Sequence, residues 1–362
     1  MDENAKATQH RLTRERWIAI AALIGVNAVW GFSFPLMKSM NLQIDDYFQT
    51  TGGTASTALR VASAAWIITL RFTLALAGLA IVASGLFRRA SKAECIAGAW
   101  IAVFLYVGLV LQVVGLATIP ASRSGFLTSL TTVFAPLFAW GVLRRRPSIG
   151  IGIGVVLALF GAAVLTGVVQ CTMQGISIAT DAGQAWQLGD TLTTLAAMFF
   201  TGQVLLIDYY GTQSKMNSVA FTPSMFVTLA VLGILTFLVV SPIVPEQSAQ
   251  GWTGIATDPK FFSFLIVTGV FCSLISFVGM NKYQPYITAV QASVIYTLEP
   301  VFASSWALFL PGWISVVTGI VYQDEVLTSP LLIGGGLIIA ANIIALWPVR
   351  TPSIKNRKPK TV

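Results

Sequence analysis

Residues 96–116 read Ile96-Ala-Gly-Ala-Trp-Ile-Ala-Val-Phe-Leu-Tyr-Val-Gly-Leu-Val-Leu-Gln-Val-Val-Gly-Leu116, without one charged side chain. A helix needs about 20 apolar residues to cross the hydrocarbon core of a bilayer, and this stretch has that length. Outward from it lie nine more of similar length and character: 17–37, 64–87, 122–143, 148–169, 190–207, 219–240, 262–281, 289–311 and 330–349. Mean hydropathy is +0.77, and only 10% of residues are charged. A soluble chain of this length needs far more polar surface. The sequence therefore predicts an all-α integral membrane protein with ten transmembrane helices.

The net charge of +8 invites a nucleic-acid reading, but its distribution argues for topology. Basic residues gather at Lys6, Arg11, Arg14 and Arg16, at Arg88, Arg89 and Lys92, at Arg144–Arg146, at Lys215, at Lys282, and at Arg350, Lys355, Arg357, Lys358 and Lys360. The intervening loops carry Asp45, Asp46, Asp181, Asp190, Glu246, Asp258, Asp324 and Glu325. The positive-inside rule then puts both termini in the cytoplasm, as an even number of spans requires. The partners implied are membrane lipid and a small-molecule substrate, with no nucleic acid. The first apolar stretch is too long for a cleaved signal and no small-residue cleavage site follows it. Cys95, Cys171 and Cys272 fall in an inner loop, an outer loop and a helix, so no disulfide framework is expected. Residues 39–60, 170–188 and 241–260 read as loops, and 351–362 as a disordered tail.

The fourth and ninth stretches repeat one another. Phe126-Leu-Thr-Ser-Leu130-Thr-Thr-Val-Phe134-Ala135 aligns with Val294-Ile-Tyr-Thr-Leu298-Glu-Pro-Val-Phe302-Ala303, matching Leu130, Val133, Phe134 and Ala135 to Leu298, Val301, Phe302 and Ala303. The fifth and tenth both close a half with a glycine-studded run. Two five-helix repeats result, 17–169 and 188–349, flanked by cytoplasmic tails 1–16 and 351–362. Five is odd, so the second repeat enters the membrane inverted, which is the usual basis of alternating access.

Several motifs resemble those of the EamA-type members of the drug/metabolite transporter superfamily. These are Trp30-Gly31-Phe32-Ser33-Phe34 with Lys38, Leu70-Arg71-Phe72, the turn from Gly115 to Leu127, Leu298-Glu299-Pro300-Val301-Phe302, and Asp324-Glu325-Val326-Leu327-Thr328. The resemblance spans about residues 17–349. It implies ten helices, five plus five inverted, and export of small metabolites or amphipathic compounds by secondary transport. Residues 311–322 read as an insertion relative to that pattern, and 39–60 as a long outer segment.

Glu299 is the most informative residue. An ionisable group within a span is costly and is functional by default. Either it takes up and releases a proton during transport, or it stays protonated and locks helix packing. Pro300 lacks an N–H and predicts a kink beside it. Tyr296 shares its helical face. In the fourth stretch Ser124, Thr128 and Thr131 form a matching polar stripe, which either faces a central cavity or bonds its own backbone. Trp30, Phe34, Tyr106 and Phe200 complete the candidate substrate-binding set, suggesting an amino-acid-like or amphipathic solute near the bilayer midplane. Arg71, on the outer half of the stretch 64–87, either snorkels outward or pairs with an acid such as Glu299; with Glu299 it is the proton-coupling candidate. Lys38 marks the outer interface. Gln112, Gln203, Asn281 and Asn342 read as interhelical glue. The glycine faces at Gly150, Gly154, Gly161 and Gly334–Gly336 pack helices and can also support a homodimer.

An intramembrane enzyme is the competing class. The single histidine, His10, lies in the N-terminal tail, which removes histidine-based metal, haem and acyl-transfer chemistry. No cofactor, metal or nucleotide-binding motif is expected. A channel, a lipid scramblase or a non-transporting scaffold is the remaining alternative. The reading is a secondary transporter of the plasma membrane (the bacterial inner membrane).

Overall fold

The structure is a computed structural model, and it describes residues 3–50, 55–143, 149–172, 175–179, 185–213, 216–246, 251–287 and 289–346. The basic clusters at 144–146 and 350–360, Lys215, Asp181 and the tail 351–362 lie outside the described residues, as do the side chains of Cys171 and His10.

The described residues are mostly helical. Its helices are α1 (Glu3–Tyr47), α2 (Thr57–Ala83), α3 (Lys92–Leu116), α4 (Ala121–Thr128), α5 (Thr131–Leu143), α6 (Ile149–Leu165), α7 (Leu188–Gly211) and α8 (Thr222–Val240). Next come α9 (Pro259–Val267), a π-helical segment (Thr268–Ile275) and α10 (Ser276–Tyr283). The series ends with α11 (Ala289–Tyr296), α12 (Glu299–Ala307), α13 (Leu310–Thr318) and α14 (Ser329–Leu346). One antiparallel hairpin, β1 (Val169–Thr172) with β2 (Gly175–Ile178), stands between α6 and α7.

Local chemistry explains most boundaries. The Ser56 hydroxyl caps α2 by accepting from the Leu59 N–H. Ser91 and Glu94 form a reciprocal capping box at the start of α3. Asp258 caps α9, with Pro259 in its first turn. Gly319, at φ +80°, closes α13 in the left-handed conformation that a side chain disfavours.

Among the described residues, six helical stretches are long and apolar enough to cross a membrane: Arg14–Tyr47, Thr57–Ala83, Lys92–Leu116, Leu188–Gly211, Ser218–Ile243 and Pro259–Tyr286. A seventh candidate is the pair Val294–Ala307 and Leu310–Thr318, bent by 51°. Of the ten expected spans, three therefore fall short of that measure: 122–143 is divided into α4 and α5, and the other two give the shorter apolar helices Gly152–Leu165 and Ser329–Ile344. The expected loops also need correction. Residues 39–47 continue α1, 57–60 open α2, and 251–257 form a short helix, because their apolar side chains join the core through Met40, Ile44, Leu59 and Ile255. The apparent insertion 311–322 is mostly α13, which buries Leu310 and Ile314 in that same core and Pro311 and Thr318 beside them in sequence.

Packing is close where side chains are small. A methyl group on Gly31 of α1 would come within 2.6 Å of Phe302 Cβ and 2.7 Å of Ala303 N. One on Gly334 of α14 would come within 2.4 Å of Leu165 N. Polar braces tie the ends of the helices at one face. Arg60 donates to Asp45 at 2.5 Å, Arg123 pairs with the fully buried Asp190, and the Lys38 ammonium donates to the Ile119 carbonyl at 2.5 Å. Glu325 accepts from the Ala121 N–H at 2.6 Å and from the Ser122 hydroxyl. Lys38 is thus fixed to backbone near that face and does not line the central cavity.

Candidate functional site

Two helices are interrupted in their middle. The α4–α5 break falls at Ser129 and Leu130, the α11–α12 break at Thr297 and Leu298. In the alignment that pairs Leu130 with Leu298, these are the same two positions. The short i→i−3 bonds of each turn correspond too, from Leu130 N to Leu127 O at 3.2 Å and from Leu298 N to Ile295 O at 3.0 Å. Thr131 and Glu299 are the first residues after the two breaks, where helix continuity is lost and a side chain stands at the end of a short helix.

Between the breaks lies a cavity that opens to solvent, with about 780 Å³ of empty space when its open mouth is included. Its walls come from α1, α2, α3, α7 and α10 as well as the two broken helices. Of the residues expected from sequence, Trp30, Phe34, Thr128, Thr131, Phe200, Tyr296, Glu299 and Arg71 line it. Tyr106 and Ser124 do not. Tyr106 is buried in the packing between α2, α3 and α8 and donates to the Thr236 hydroxyl at 2.6 Å. The Ser124 hydroxyl sits 3.4 Å from that of Thr193 on α7. Both readings of the threonine stripe hold for its other two members. Thr128 and Thr131 reach the cavity while donating to the Ser124 and Thr128 carbonyls at 2.9 and 2.7 Å.

Aromatic faces make one side of the cavity. The Trp30 ring lies 5.5 Å from Phe277 and 5.9 Å from Tyr296, both tilted contacts. Tyr296 is held by donating to Gln284 at 2.8 Å. The polar side carries Gln112, which donates to Thr128 at 3.0 Å, and Gln203. The interhelical-glue reading of these two glutamines is thus incomplete, since both also face the cavity.

Arg71 takes neither course open to it from sequence. It sits near the middle of α2, which begins at Thr57 rather than at residue 64, and it is 3% exposed. Its Nε donates to Ser273 Oγ at 2.5 Å and its Nη2 to the Cys272 carbonyl at 3.1 Å, both in the π-helical segment. Met37 Sδ lies 3.6 Å from Nη1. Among the described residues, neither Arg71 nor Glu299 has an ion-pair partner. Ser33, Met37, Phe277 and Met280 also line the cavity. Only Ser33 carried a signal in sequence, as a polar residue inside the motif around Trp30.

Residues 17–167 match the EamA-like transporter family. The matched part, under half of the chain, is similar to the EamA type. An "Uncharacterized transporter" from Archaeoglobus fulgidus is 25% identical over 244 residues, covering 67% of this chain and 66% of that protein, just under two thirds of its length. A solved structure titled only "Crystal structure of protein" overlaps 88% of this chain and 96% of its own, at a TM-score of 0.47 and 17% identity, too slight a likeness to carry an argument. The chain is a multi-pass membrane protein, and the resemblance read from its motifs holds over residues 17–167.

Proposed function

We propose that this protein is a secondary transporter that exports small organic metabolites, amino-acid-like or amphipathic, across the plasma membrane (the bacterial inner membrane) by alternating access. Both termini lie in the cytoplasm, following the basic-residue distribution. Ten spans form two inverted repeats, 17–169 and 188–349. The pattern of helix neighbours supports the repeat, because it survives exchange of the halves. The pairs α2 with α8 and α6 with α14 map onto themselves, and the contact of α4 with α12 has a smaller counterpart in that of α11 with α5. The packing of α3 on α7 has its counterpart in α1 on α10, and that of α3 on α8 in α2 on the π-helical segment.

The observation that carries the proposal is the cavity lined by both broken helices, with a carboxylate at one break and, among the described residues, no cation paired with it. A carboxylate facing such a cavity can exchange a proton with whichever side the cavity opens to. Arg71 enters the coupling as a fixed charge, since a guanidinium keeps its proton. Transport then requires the braces at Arg123–Asp190 and Glu325 to part in one half of the cycle.

The test is flux of labelled amino acids and nucleosides in proteoliposomes, with and without a pH gradient, for wild type and Glu299→Gln. Gradient-dependent flux in wild type, with only that dependence lost in the variant, is the expected result. Flux indifferent to pH in both makes Glu299 a packing residue. Downhill movement of lipid or of every solute tested would favour a scramblase or channel.

A further inference from the structure

We infer that Arg71 is the anion-binding group of the cavity and that the transported solute carries a carboxylate on an apolar body. The inference deepens the transporter reading and rests on it. A buried cation is costly unless it is paired. Arg71 is buried, yet its described partners are neutral: the Ser273 hydroxyl, the Cys272 carbonyl and the Met37 sulfur. The Phe72 ring, 5.6 Å from the guanidinium carbon, offsets only part of a full charge.

If Arg71 served only to tie α2 to the π-helical segment, a neutral amide would donate the same bonds at less cost. What distinguishes arginine is a charge with five N–H donors in a rigid fork. The contacts to protein engage Nε, Nη1 and Nη2 once each, which leaves N–H groups on both terminal nitrogens to spare. Arg71 lines the cavity, so a solute there can reach it. A carboxylate supplies both the missing charge and the two oxygens that match the fork. The aromatic wall at Trp30, Phe200 and Phe277 suits the rest of such a molecule.

Equilibrium binding to the purified full-length chain in detergent tests this apart from flux. The probes are matched sets on a phenyl, an indole and an isobutyl body, each as the carboxylate, the primary amide and the ammonium. In at least one set the carboxylate should bind about tenfold or more tightly than the amide and the ammonium, the scale of a charge-assisted bond. Arg71→Gln should abolish that preference, and Arg71→Lys should retain part of it. No carboxylate preference in any set overturns the inference. So does a preference that survives Arg71→Gln. If Arg71→Gln does not fold, the three-way comparison on wild type and Arg71→Lys still decides. Carboxylate-selective binding without flux would sink the transporter reading and leave the anion site standing; flux without charge selectivity would do the reverse.

Discussion

The α4–α5 break and the α11–α12 break occupy matching positions in the two halves, yet Thr131 follows one and Glu299 the other. The first is tied down: Thr131 donates to the Ala197 carbonyl of α7 at 3.3 Å and Thr201 donates back to the Thr131 carbonyl at 3.2 Å. No such bond holds Glu299 among the described residues. The proline differs as well. Pro300 stands just after the second break, while the position matching it in the first is Thr132 and the nearest proline of α5 is Pro136, so a break of this shape forms without a proline at that position. Proline reinforces a turn that the surrounding packing imposes. Backbone geometry is shared between the two breaks while chemistry is not.

The anchoring of the two half-helices offers the sharpest way to break this comparison. Arg123 ties α4 to Asp190 at the start of α7, and Asp190 is fully buried, whereas α12 carries no ion pair among the described residues. Asp190→Ala should lower stability by about 3 kcal/mol, since it strands a largely buried guanidinium. A melting curve in detergent reads the loss, and an unchanged midpoint would mean the pair is not an anchor.

Next in size are the two glycines that face α12. A methyl on Gly31 meets rigid backbone at Ala303 N, while one on Gly125 meets mainly Ala303 Cβ, at 2.8 Å. Gly31→Ala should therefore cost about 1–3 kcal/mol and Gly125→Ala measurably less. The reverse order in thermal melts would show that α4, rather than α1, fixes the position of the second break.

Pro300→Ala should change stability by only a few tenths of a kcal/mol and leave the break in place, as Thr132 already indicates. Accessibility of a cysteine introduced at Leu298 reports the break; protection on Pro300→Ala would give causation back to the proline.

Glu246, remote from both breaks, is the control. Burial alone would raise its pKa, but bonds from the Ser56 N–H and hydroxyl, with help from Arg60, hold it below the ordinary 4.5. A depressed carboxylate contributes stability that is complete above its unfolded value and lost as pH falls through the folded one. The stability gap between wild type and Glu246→Gln should thus be present at about pH 7 and shrink below about pH 4.5. A gap that widens in acid would contradict the sign of this shift.

Much of this was legible in the sequence. Each apolar stretch holds a helix, because a run of some 20 apolar residues leaves the backbone few other choices. The alignment around Leu130 and Leu298 marks both breaks, and the cavity wall includes most residues chosen for it. What stayed hidden depends on packing. Apolar side chains such as Met40 and Ile255 join the core, so the loops expected around them are helical. Tyr106 and Ser124 sit on helices that do line the cavity, but a small rotation sends each to a neighbour instead, and one sequence cannot resolve a rotation of that size. Arg71 lies nearer the middle of its helix than the stretch 64–87 implies, because α2 starts about two turns earlier, at Thr57, where Arg60 and the polar run before it disguise its beginning.

The π-helical segment has a consequence for ancestry. A single residue turns a helical face by about 100°, and π-bulges lodge an additional residue within an α-helix. In the proposed repeat α3 is the counterpart of α9–α10, and it is α-helical from Lys92 to Leu116 without such a segment. An ungapped comparison of these two helices falls out of phase beyond Ile275. The likeness of the halves is then plainest at Leu130 and Leu298 and fades in this pair, and a one-residue gap placed within 268–275 is where common descent should be sought.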